Sequence, residues 1–169
     1  MTDDITLVRR AFEDATRIID GIRPDQLDGP TPCEDFNVQQ LVTHLAEGHE
    51  MFVAALGGEA STDQSWASVA KRLQAAIEAP GSPDQLVELP YGEFPRAVVV
   101  QQILGETAIH AADLAKSTGQ SLGDDAVYER VFSAVTDDWR VDGVLGPPVA
   151  SPDGAPLIDR VLAFAGRTV

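Results

Sequence analysis

Apolar residues recur at helical spacing through most of the chain. Over residues 5–22, "ITLVRRAFEDATRIIDGI", a single stripe collects Ile5, Val8, Phe12, Ala15, Ile19 and Ile22, and Gly21 and Pro24 mark its end. Residues 23–36, rich in Pro, Gly and Asp, read as a loop. Asn37 is a good N-cap with Gln40 at the capping-box position, so a second helix is predicted over 38–56, stopped by Gly57 and Gly58. Leu41, His44, Leu45, Gly48 and Phe52 share one of its faces. A third helix is predicted to start after Ser61 or Thr62 and run to about residue 79, with Trp66, Val69, Leu73, Ala76 and Ile77 as its core stripe. The segment near 86–95 reads as a short irregular or hairpin-like connection around Tyr91 and Gly92, and Pro90 and Pro95 argue against long central strands there.

The longest apolar pattern, "RAVVVQQILGETAIHAADLAKST", spans 96–118 and meets Gly119, a favourable residue just past a helix end. A fifth helix is expected from about Asp124 to Arg140, carrying Val127, Val131 and Trp139. A last one is expected to begin with Pro156 in its first turn. The predicted class is all-α: a four-helix bundle with a decorated connection and extra C-terminal helices, forming one domain over 1–169.

Polar residues interrupt two of these stripes. On the fourth helix Glu106 and His110 are four residues apart and point the same way, and Asp113 follows three residues later. On the second helix His44 lies on the apolar face. His49 is about 140° further round and does not share a site with it; it is expected to be partly exposed. A bundle buries ionisable groups only where something compensates for lost hydration. Glu106 and His110 on one helix, facing His44 on another, have the donor chemistry of a divalent transition-metal site, zinc first, with a position left open for water or substrate. The other reading needs no metal: His44 hydrogen-bonds Asp113 or Glu106 as a satisfied core histidine. Asp113 either orients His110 or caps something local. Glu47, one turn from His44, is either a support for the site or, like Glu50, a solvated helix charge. Cys33 reads as a small residue buried before the second helix, and the tryptophans as core.

Composition narrows the partners. The chain has 169 residues and a formal charge of −15, from 12 basic and 27 acidic side chains. Such a surface repels nucleic-acid backbones and anionic membranes, and no basic cluster offsets it. No run approaches the ~18 apolar residues of a membrane span, and the start of the chain lacks the features of a signal peptide. Its one cysteine cannot form an internal disulfide. A cytoplasmic protein is expected, binding neither nucleic acid nor membrane. Pairing into a homodimer through exposed helix faces is a further expectation.

Two segments carry a resemblance. "TPCEDFNVQQLVTHLAEGHEMFVAAL" is similar to the T-P-C-x-D-W-x-V-x-x-L-x-x-H-L signature of actinobacterial proteins related to mycothiol-dependent maleylpyruvate isomerase, with Phe36 in place of the Trp. "ETAIHAADLAKSTGQ" resembles their E-x-x-x-H-x-x-D-L-A-x-A-T-G segment, and "GPPVASPDGAPLIDRVLAFAGR" resembles the ending of single-domain members. The resemblance implies a DinB-like four-helix bundle with a metal held by His44, Glu106 and His110. It also implies transferase or isomerase chemistry in which a low-molecular-weight thiol such as mycothiol, held as thiolate, attacks an electrophilic substrate. The isomerase has an additional C-terminal domain that contributes to its active site; a single-domain chain is expected to do something other than isomerise maleylpyruvate. The same metal could instead activate water in a hydrolase, or sit in a non-catalytic metal- or ligand-binding module.

Overall fold

The computed structural model describes residues 2–135, 140 and 145–168. Helices α1 (Thr2–Asp20), α2 (Val38–Ala55), α3 (Trp66–Glu78) and α4 (Arg96–Thr118) form the bundle. Each packs on two others in a ring: α1 on α3 and α4, α2 on α3 and α4. The antiparallel hairpin β1 (Leu86–Leu89) and β2 (Gly92–Pro95) joins α3 to α4, pairing Leu86 with Pro95 and Leu89 with Gly92. Helices α5 (Asp125–Ala134) and α6 (Leu157–Phe164) pack against α4. This is the mostly helical, DinB-like arrangement expected from the apolar patterning.

Local chemistry explains the boundaries. Asn37 caps α2 by accepting from the Gln40 amide at 2.8 Å, and the Gln40 side chain accepts from the Asn37 amide at 3.0 Å. Gly119 ends α4 at φ +71, a left-handed conformation that L side chains resist. Helix α3 starts later than expected, at Trp66. Asp63 accepts from the Ser65 amide and Ser65 caps the helix, so the polar run before it is held in local turns. Pro156 is the cap of α6 and not its first turn. Helix α5 stops at Ala134 instead of reaching Arg140, with an extended Val135 as its C-cap; Trp139 lies outside the described residues.

The core runs the length of the bundle, with Phe12, Leu41, Leu45, Trp66, Leu73, Ile103, Leu104 and Leu114 all buried. Arg96, at the first position of α4, is buried and donates Nη2 to the carbonyls of Ala76, Ile77 and Ala79 at 2.8, 3.0 and 3.1 Å. A cation placed on the unsatisfied carbonyls at the end of α3 is favourable. It also anchors the start of α4, the helix that carries Glu106 and His110. Among the described residues no helix is long and apolar enough to cross a membrane.

Candidate metal centre

The 31–37 loop delivers the first part of the site. The Thr31 hydroxyl lies 2.9 and 2.8 Å from the carbonyl oxygens of Cys33 and Phe36, and a bridge between Pro30 and Asn37 closes the loop. Phe36 is thereby laid on His44, with ring centroids 4.7 Å apart and planes at 23°. His44 itself, on the first half of α2, is half-buried and opens onto a groove of about 360 Å³ lined also by Asp35, Gln40, Thr43 and Glu47. The aromatic position read only as a sequence variant therefore has a structural task, which is to back the imidazole.

Helix α4 supplies the rest. His110 is almost fully buried, and its ring meets that of His44 edge to face at 5.3 Å. Glu106 Oε1 stands between them, 3.5 Å from His44 Nε2 and 3.3 Å from His110 Nε2. On its far side His110 Nδ1 donates to Asp113 Oδ2 at 3.1 Å. Asp113 is completely buried, so this contact fixes the ring and leaves Nε2 as the atom presented to the cluster. Burial alone would lower the proton affinity of His110; the adjoining carboxylates of Glu106 and Asp113 outweigh it and raise its pKa to about 9. Burial alone would raise that of Glu106, and the two imidazoles hold it well below the usual carboxylate range. Gly48 faces the Glu106 carboxylate from α2; even a methyl group there would lie 3.9 Å from Oε1.

Whether a metal suits these residues can be judged from the donors. The ligand atoms of His44, Glu106 and His110 all lie within 4.8 Å of one another. Two ligands bound tetrahedrally at 2.0–2.1 Å from one ion are about 3.3 Å apart, close to the separations of Glu106 Oε1 from each imidazole. Two nitrogens and a carboxylate oxygen form a set that divalent transition metals accept, so the residues fit the group.

His49 departs from expectation. It is fully buried, not partly exposed. The 140° offset turns it away from His44 and into a box formed by Phe12, Phe52 and Trp66. Nδ1 lies 2.7 Å from the Leu45 carbonyl and Nε2 lies 2.7 Å from the Thr107 hydroxyl. A neutral ring therefore donates from Nδ1 and accepts at Nε2. Burial holds its pKa down to about 4. Glu50 is likewise no free surface charge, since Arg72 reaches both of its carboxylate oxygens. Glu47 is exposed, on the groove beside His44.

Sequence reading missed Arg167. This residue, just beyond α6, is 14% exposed in its side chain and reaches back to Asp113 Oδ1 at 3.4 Å and to Cys33 Sγ at 3.3 Å. Cys33 is only partly buried; desolvation pushes its thiol up to about 11 although the guanidinium opposes the shift. An arginine closing a helix-rich tail carries no local pattern that would have pointed to this contact.

A helical bundle with a His–Glu–His cluster between α2 and α4 is the frame of a metal-binding domain. The chain belongs to the family of the mycothiol maleylpyruvate isomerase N-terminal domain, whose family model matches residues 8–97. That family is metal-binding and mycothiol-associated. The match includes His44 and ends at the start of α4, before Glu106. Over its whole length the chain is also similar to two proteins of Mycobacterium tuberculosis, one from strain CDC 1551 / Oshkosh and one from strain H37Rv, both described as uncharacterized. Each is 32% identical over 186 aligned residues, covering 99% of this chain and 99% of the relative. No solved structure matches the chain significantly.

Proposed function

We propose that the chain is a divalent-metal-dependent enzyme, with zinc the leading metal, that uses a low-molecular-weight thiol such as mycothiol in transferase- or isomerase-type chemistry on an electrophilic substrate. The observation that carries this reading is the convergence of His44 Nε2, Glu106 Oε1 and His110 Nε2, with His44 also lining an open groove. Family membership supports the thiol. His44, Glu106 and His110 would hold the ion, and a zinc bound by three protein ligands would supply Lewis acidity and favour the thiolate form of a thiol.

The chain's own residues prepare that cluster. Asp113 keeps the proton of His110 on Nδ1, so that Nε2 points inward. Phe36 covers one face of His44 and keeps water off it. Asp35, Gln40 and Thr43 offer hydrogen-bond partners along the groove to the polar part of an incoming thiol. The test is calorimetric titration of mycothiol, or of its cysteinyl fragment, into zinc-loaded and metal-free protein. Binding to the loaded form alone, followed by thiol-dependent consumption of an electrophile, is the expected result. Equal binding to both forms would sink the proposal.

Glu47 favours a second reading. It lines the same groove as His44 and is not one of the three ligands proposed above, so it could serve as base in a metal-dependent hydrolase. Turnover of esters or amides without thiol, lost in Glu47→Gln, would select that reading. Saturable ligand binding with no turnover in either assay would select a non-catalytic module.

A further inference from the structure

His110 belongs to two donor sets. One is the cluster with His44 and Glu106; the other joins it to Cys33 and Asp113, again with ligand atoms within 4.8 Å of one another. A thiol, an imidazole and a carboxylate form a set that thiophilic metals accept as readily as the first. Yet the second set already has a cation. The Arg167 guanidinium touches Asp113 through Nε and Cys33 through Nη2, and a third contact, Nη1 to the Ala165 carbonyl at 3.4 Å, steadies it against the end of α6.

From this contact pattern we infer that Arg167 is a positioning residue that occupies the Cys33–His110–Asp113 set and so confines the metal to His44, Glu106 and His110. The inference rests on the metal-site reading above for the native occupant, but its own signature is separate. With the guanidinium in place, Asp113 is committed to His110 Nδ1 on one oxygen and to Arg167 on the other. Cys33 stays a thiol, and its sulfur makes its contact to a fixed positive charge that repels a second cation. Without the guanidinium, the buried Asp113 carboxylate and the Cys33 thiol lose the cation that bridges them. A thiophilic ion then binds there, Cys33 giving up its thiol proton and His110 a ring proton to solvent as each becomes a ligand.

Cobalt(II) reads the difference, because a thiolate ligand adds a near-ultraviolet sulfur-to-cobalt absorption that nitrogen and oxygen ligands lack. Native protein titrated with cobalt is expected to show no such band. R167M and R167Q are expected to gain it, R167K to remain without it, and the double variant R167M/C33S to lose it again. Absence of the band in folded R167M and R167Q would overturn the inference. So would its presence in the native protein, a measurement that needs no variant to fold. Failure of the metal-site reading looks different: the visible cobalt bands of native protein would survive His44→Ala, whatever Arg167 does.

Discussion

Two histidines lie between the same pair of helices and live in opposite surroundings. His110 meets two carboxylates and a second imidazole. His49, from the facing helix, meets three aromatic rings, a hydroxyl and a carbonyl. The first ring is held in its charged form, near pKa 9, and the second in its neutral form, near 4. Neither behaviour belongs to histidine as such. Carboxylates beside the one ring raise its proton affinity, and burial among aromatic rings keeps the other neutral between α2 and α4. A polar residue in a bundle core is thus assigned by its neighbours across the helix interface and not by its own stripe.

The sharpest way to break this contrast is to remove a donor. His110→Ala and His44→Ala are expected to bring bound metal from stoichiometric to near zero by elemental analysis, while His49→Leu keeps it. The packing of His49 is tested by stability. His49→Ala should cost about 3–4 kcal/mol in urea unfolding, from the cavity left among Phe12, Phe52 and Trp66, at unchanged metal content.

A smaller effect follows from protonation, with opposite signs at the two sites. The His49 pKa is depressed in the fold, so between pH 6.5 and about 4 the unfolded chain binds a proton that the native one does not. Stability attributable to His49 is therefore full above pH 6.5 and falls by about 3 kcal/mol on acidification to pH 4, a slope absent from His49→Leu. His110 has its pKa raised, so in metal-free protein its contribution is full below pH 6.5 and is lost as pH rises through about 9. Loading with zinc should abolish that alkaline slope. Asp113→Asn comes next: losing the carboxylate behind His110 should weaken zinc binding about 10–100-fold, measured by chelator competition. Least of all, Asn37→Ala should cost about 1 kcal/mol in urea unfolding, by loss of the cap that it shares with Gln40.

Much of the bundle is legible in the chain. The stripe over 96–118 and its Gly119 stop, the Asn37–Gln40 box and the Pro-flanked hairpin are local signals, and each element lies where local chemistry puts it. The meeting of His44 with Glu106 and His110 was readable because an i, i+4 pair needs only one facing donor. What could not be read depends on contacts distant in sequence. Burial of His49 depends on Phe12, Trp66 and Thr107 from three other helices. The tie from Arg167 to Cys33 spans 134 positions. The late start of α3 reflects competition between side-chain turns and the helix, which apolar periodicity does not register.

Every role proposed for the cluster requires that His44, Glu106 and His110 hold a divalent metal. Elemental analysis of the chain purified without chelators, alongside His44→Ala and His110→Ala, tests it most directly. One equivalent of zinc or another divalent transition metal in the native protein, lost from both variants, is the predicted result. Metal-free native protein that takes up no zinc on titration, or full retention of metal by both variants, would contradict it.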